Sequence, residues 1–175
     1  MFESALVFMY ENQGVCRWSV ELDGSDDPAV IVEIESYDTK ADCASLCCGE
    51  FSTFITCQVL DYGARPTADK LYLNAQDVAL THPDLKYLQS KFEELPRTFG
   101  WPGLVNFRFR CTHGNLVLWS NPGQTDWNIE AASAKDLRQL AQMIWRCGEV
   151  AERLFAVGSN EKDADKVLSE LRGAN

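Results

Sequence analysis

Positive charge is scarce in this chain. Among 175 residues, 16 Lys and Arg stand against 26 Asp and Glu, for a formal net charge of -10 and a pI near 4.6. Most of such a surface repels nucleic acid and anionic membranes, and a basic protein is the electrostatically favoured partner. Long apolar runs are also missing: none approaches the ~18 residues that mark a membrane-spanning helix. The N-terminal MFESALVFMY carries an acid where a signal peptide is basic, so the expected location is cytoplasmic. Histidine is limited to His82 and His113. No glycine-rich phosphate loop, HExxH or GxSxG occurs, which removes the commonest nucleotide-binding, zinc-peptidase and serine-hydrolase signatures. Internal repeats and low-complexity tracts are absent, against a solenoid or a disordered chain.

What is present is the material of an ordinary core: 46% hydrophobic and 11% aromatic residues. One domain over 1–157 is expected, followed by a short charged helix or tail over 158–175. Seven cysteines, Cys16, Cys43, Cys47, Cys48, Cys57, Cys111 and Cys147, form an odd set with an adjacent pair, which suits reduced, packed thiols better than disulfides. Cys43, Cys47, Cys48 and Cys57 lack the paired knuckles of a zinc site, so neither metal nor cofactor is expected.

Hydrophobic periodicity outlines the elements. The run ALVFMY over 5–10 reads as a buried strand, and Cys16, Trp18, Val20 and Leu22 share one face of the next. Asp23 to Asp27 is a turn, Pro28 sits at a strand edge, and Val30, Val32 and Ile34 resume the apolar face. Spacings of three and four between Ala41 and Leu60 predict a helix interrupted near Gly49. Residues 71–80 fit strand or loop; a helix from His82 carries Leu85, Leu88, Phe92 and Leu95 on one stripe. Alternation over Leu104–Ser120 around His113-Gly114-Asn115 predicts a hairpin, and DWNIEA from Asp126 a further strand. Ser133 with Asp136 marks a helix start, with one apolar face running through Leu137, Leu140, Ala141, Ile144, Gly148, Ala151 and Phe155. The sum is an α+β fold, an antiparallel sheet with helices packed on one face.

An apolar strand, then ENQGVCRW at 11–18, DDPAV at 26–30 and EFSTF at 50–54, resembles the SUKH superfamily over roughly residues 5–60; the likeness is looser through Leu104–Ala131. That family includes bacterial immunity proteins against polymorphic toxins, fungal cell-wall-assembly regulators and adaptor domains. The resemblance implies that the Trp18 strand packs its tryptophan under the sheet and that Asp-Asp-Pro forms the tight turn into its neighbour. Family members carry an N-terminal helical segment before the first strand, whereas this chain begins almost on the strand.

The candidate functional residues follow from local charge. Glu21, Asp23, Asp26, Asp27, Glu33, Glu35 and Asp38 occur in a stretch without Lys or Arg. A solvated turn, a partner-binding surface for a basic protein and a calcium loop are the readings weighed; DGSDD lacks the ligand spacing of an EF-hand. Trp101 in FGWPG is the candidate exposed aromatic contact. Arg17, Arg108 and Arg110 lie on polar strand faces, as an anion site or in cross-strand ion pairs with Glu21 or Glu130. No residue is expected to be catalytic; a nucleophilic cysteine with His82 or His113 as base is the remaining enzymatic alternative, with His113 otherwise a turn residue. The expected function is non-catalytic binding, an immunity protein neutralising a cognate toxin such as a basic nuclease by direct contact. The alternative is a regulatory or adaptor subunit.

Overall fold

The computed structural model describes residues 5–11, 16–34, 43–63, 67–100 and 104–174. Glu35, Asp38 and Trp101 lie outside them. The described residues form an α+β fold, with the strands shared between two antiparallel sheets. The first is a meander in chain order: β1 (Ala5–Tyr10), β2 (Cys16–Glu21), β3 (Val30–Ile34) and β4 (Cys43–Cys48). The second contains β5 (Leu71–Ala75), β6 (Glu93–Phe99), β7 (Val105–Cys111), β8 (Gly114–Asn121), β9 (Gln124–Ala131) and β10 (Phe155–Val157), in the order β10-β5-β9-β8-β7-β6. The helices are α1 (Phe51–Gly63), α2 (His82–Lys91), α3 (Ala134–Ile144), α4 (Val150–Arg153) and α5 (Glu161–Gly173).

The larger core follows from alternation on β7, β8 and β9. Phe107, Phe109, Leu116, Leu118, Trp127 and Ile129 share one face and are buried against the helices. Leu137, Leu140, Ala141 and Ile144 of α3 cover that face, and so do Ala164, Val167, Leu168 and Leu171 of α5. The charged C-terminal segment is therefore a helix that completes the core. Burying a side chain of this size contributes roughly 1.5–3 kcal/mol. The Ser133 hydroxyl accepts from the Asp136 backbone N–H at the start of α3, and Thr81 forms a reciprocal capping box with Asp84 at α2.

Several sequence expectations need correction. The run ALVFMY, expected as a buried strand, is the edge strand β1, whose residues are half-buried or exposed. Within the stretch 41–60, expected as an interrupted helix, the described residues form strand β4 followed by helix α1. Val30 pairs with Cys48 but Ile31 with Leu46, so Cys47 is an extra, bulged residue; both Cys47 and Cys48 are then buried, which imitates a helical spacing. Leu95 leaves the α2 stripe because Phe92 caps that helix and β6 begins at Glu93. The long helix expected through Phe155 stops at Ile144; Gly148, at a φ of +47°, turns the chain into α4, and β10 then pairs with β5.

Candidate functional site

The acidic turn between β2 and β3 is built by its own side chains. Asp23 Oδ1 accepts from the Ser25 backbone N–H at 2.8 Å, and Ser25 Oγ accepts from the Asp27 N–H at 3.3 Å. Asp27 then reaches the start of α1: its Oδ1 accepts from Ser52 N–H at 2.8 Å and its Oδ2 from Ser52 Oγ at 2.6 Å. These bonds, from the Ser52 hydroxyl first and its backbone second, hold the Asp27 carboxyl below the usual carboxylate range. The helix receives an acceptor for orphan N–H groups from a distant turn, since α1 has no acidic residue in its own first turn. Nearby, Phe8 stands edge-on to Phe51 and Phe54, at 5.1 and 5.3 Å between ring centres. The words DDPAV and EFSTF thus meet in space.

The acids of this stretch divide by occupation. Glu33 pairs with Arg17 directly across β2 and β3, and Asp27 is held by Ser52. Glu21 is half-buried at the end of β2. Asp23 and Asp26 are exposed, and Asp26 has no hydrogen bond or ion pair among the described residues. Leu22, expected on the apolar face, is instead 58% exposed between Glu21 and Asp23 because it lies past the last paired residue of β2. No sequence signal marked that exposure, since the alternation continues through Leu22.

The three arginines do not gather into an anion site, because each has a carboxylate of its own. Arg17 takes Glu33 and Arg110 takes Glu93, both directly cross-strand. Neither Glu21 nor Glu130 is the partner; Glu130 is bound by Lys70 at 3.1 Å and Asn115 at 2.5 Å. Arg108 is buried and grips Asp61 of α1 with two bonds, Nε to Oδ1 at 2.7 Å and Nη2 to Oδ2 at 2.5 Å. Its remaining donors reach the Pro96 and Asn106 carbonyls and Thr98 Oγ1. Cys57 of α1 also donates its thiol to the Pro96 carbonyl at 3.4 Å. This junction ties α1 to the β6–β7 edge of the larger sheet.

A second assembly was not legible in sequence. A 560 Å³ cleft between the β7–β8 hairpin tip, the end of α2 and α3 is lined by Lys91, Glu93, Arg110, Cys111, His113 and Met143. His113 occupies the two-residue loop between Cys111 and Gly114, and its Nδ1 lies 3.1 Å from Asp136 Oδ1. Ser133 and then His113 hold the Asp136 carboxyl below its ordinary range. Gly114 is obligatory here: at a φ of +150°, a Cβ would lie 2.0 Å from the Glu130 carbonyl oxygen. In sequence Asp136 reads as a helix-start residue and His113 as a turn residue or a candidate base for a cysteine, and the 23 positions between them hide the contact. His82 lines a separate 350 Å³ cavity with Leu80, Leu85, Phe107 and Pro122, and no cysteine lines it.

Of the candidate zinc thiols, Cys47, Cys48 and Cys57 are buried. Among the described residues no group of three or more His, Cys, Asp or Glu side chains is placed to hold a metal, and no helix is long and apolar enough to cross a membrane. Comparison with family models, with curated proteins and with solved structures finds no match.

Proposed function

We propose that this chain is a non-catalytic, cytoplasmic, SUKH-like protein-binding domain that neutralises a cognate toxin by direct contact, with a basic nuclease as the partner class. What supports the reading is the acidic turn and its anchoring: an exposed Leu22 between Glu21 and Asp23, followed by exposed Asp26, on a loop fixed to α1 through Asp27. A preformed loop loses little entropy on docking, and an apolar anchor ringed by like charge suits a cationic cleft. In this proposal the carboxylates stand in for nucleic-acid phosphates, steer the encounter and occlude the partner's active site.

The test is titration against the basic protein encoded in the neighbouring reading frames, with Asp23→Lys and Asp26→Lys combined. Asp27 is left intact because its reversal would also disturb α1. The expected result is an on-rate about tenfold or more lower at low salt, and an on-rate of the parent chain that falls as salt shortens the ~10 Å Debye length. Binding indifferent to both charge reversal and salt would sink this reading.

One observation favours an adaptor role as the second reading. Ile55, Val59 and Tyr62, spaced by four and three on α1, are 44%, 66% and 57% exposed. An apolar helix stripe of this kind supports partner binding that survives high salt. Salt dependence therefore separates the two proposals.

A further inference from the structure

We propose that Cys47 and Cys48 form a peroxide-sensitive dithiol that closes to a disulfide between adjacent residues. Neighbouring residues of a regular strand point to opposite faces of the sheet, so an adjacent thiol pair is ordinarily kept apart. The bulge in β4 removes that obstacle. Val30 pairs with Cys48 and Ile31 with Leu46, which leaves Cys47 as the extra residue, and both side chains enter the same core beside Val30, Val32 and Phe54. There the two thiols hydrogen-bond to each other.

The pair is asymmetric. The bond from Cys47, with smaller contributions from the Glu50 backbone and the Arg108 charge, holds Cys48 below the ordinary thiol value against the opposing effect of burial. The same bond first, and burial second, push Cys47 far up. Cys48 is therefore the nucleophile, and Cys47 is the thiol held beside it to complete the disulfide. Cys57 is the poorer second thiol, since it is engaged with the Pro96 carbonyl at 3.4 Å and burial pushes its pKa up. Cys47 and Cys48 are 2% and 5% exposed, which bars bulky reagents. The chain is exposed at Gly49 and Glu50 immediately after them, and a Cβ at Gly49 would meet nothing within 4 Å. Peroxide, little larger than water, suits that approach.

The chemistry balances with hydrogen peroxide as the oxidant. The Cys48 thiolate attacks one peroxide oxygen; the S–O bond forms as the O–O bond breaks, and the departing hydroxide takes up the proton lost by Cys48 and leaves as water. Once Cys48 is a sulfenic acid, the bond that kept Cys47 protonated is gone. Cys47 Sγ then attacks the Cys48 sulfur, the S–S bond forms as the S–O bond breaks, and hydroxide leaves with the Cys47 proton as a second water. Adjacent Cα atoms lie about 3.8 Å apart, short of the roughly 4.4 Å at which the usual disulfide range begins, so the bond is strained and readily reduced. Closing it also removes Cys48 as a donor to the Glu50 carbonyl, a bond of 3.3 Å to the oxygen that accepts the Phe54 N–H at 3.1 Å in the first turn of α1. That turn carries Ser52, which holds Asp27.

The experiment exposes the folded chain at neutral pH to hydrogen peroxide, blocks the remaining thiols with iodoacetamide after denaturation and maps the peptides. The expected first product has lost two hydrogens within the peptide that holds Cys47 and Cys48, and dithiothreitol restores it. Cys47→Ser should leave a sulfenic acid at Cys48 that dimedone traps, whereas Cys48→Ser should leave no such adduct at Cys47. In the closed-ring product, hydrogen exchange at Ser52 and Phe54 should quicken, with β7 to β9 unchanged. A first disulfide from Cys48 to Cys57, a first oxidation at any other cysteine, or an irreversible sulfinic acid at Cys48 of the parent chain overturns the proposal. The parent-chain map decides it even where a serine variant fails to fold. Unchanged exchange at Ser52 after ring closure overturns the link to α1.

Discussion

The two sheets solve the problem of burial differently. The six-stranded sheet lies under α3 and α5, and its core is almost wholly hydrocarbon and aromatic, from Leu73 and Trp127 to Leu140 and Leu168. The four-stranded sheet has a thinner core in which Cys16, Cys47 and Cys48 sit beside Val30, Val32 and Phe54. Thiols bury less area and are softer than leucines, so the smaller sheet gains less from water exclusion and relies on specific polar ties. Those ties are Arg17 to Glu33, Asp27 to Ser52, and Arg108 to Asp61 across the junction. The well-clad half carries stability; the thinner half carries the acidic turn.

The strongest way to break that contrast is to cut the junction. Asp61→Ala would leave the Arg108 guanidinium, buried to 1% side-chain exposure, without its carboxylate. Stranding a buried charge costs about 3–5 kcal/mol, which urea denaturation should register. Arg108→Ala should cost less, since the orphaned Asp61 side chain is 17% exposed and can reach water. An equal loss from both variants would mean that the pair is not the tie described. A milder blow inside the smaller core is Val32→Ala, at 0% exposure, which removes two methyl equivalents and should cost about 2 kcal/mol. If the halves unfold together, Trp18 and Trp127 fluorescence shift to the same new midpoint; separate midpoints would show the junction to be the weak point of cooperativity.

Legibility in the sequence followed the same division. The β7–β8 hairpin, strand β9 and the Ser133 cap were readable because each rests on short-range alternation or a three-residue capping pattern. The smaller half misled where a bulge at Cys47 mixed the periods of strand and helix, and where Leu22 continued the alternation past the last strand pairing. Its charge was readable, but not its occupation: Asp27 to Ser52 spans 25 positions and Arg108 to Asp61 spans 47. Such long-range pairs leave no periodic trace, and neither does the His113–Asp136 contact in the Cys111 cleft.

Alkali sharpens the contrast at lower amplitude, because each core holds a thiol that folding keeps protonated. Burial, with a smaller contribution from Glu11, pushes Cys16 of the smaller core from 9.0 up to about 11; burial pushes Cys147 of the larger core up to about 12. A thiol with a raised folded-state pKa contributes stability that is whole below the unfolded value and lost as pH climbs through the folded one. Stability should therefore fall from pH 9.0 toward about 11 as Cys16 loses its advantage, with Cys147 following toward about 12. Cys16→Ala should flatten the first part of that decline in thermal melts between pH 8 and 11. An unchanged slope would place the alkaline sensitivity elsewhere.

The smallest expected effect concerns the turn itself. Ser52 holds the Asp27 carboxyl below its ordinary range, so its contribution is present above the ordinary carboxylate value and is lost as pH falls through the lowered one. Asp27→Asn keeps a carbonyl acceptor for one Ser52 bond but loses the second charged oxygen and the attraction to the α1 N-terminus. A slight fall in melting temperature at pH 7 is expected, shrinking as pH falls below the usual carboxylate range. Hydrogen exchange should report more than stability does, with faster exchange at Ser25, Asp27 and Ser52 and no change in β7 to β9. If those three amides exchange as slowly as in the parent chain, the turn is ordered by its own Asp23 and Ser25 bonds, and its rigidity does not depend on α1.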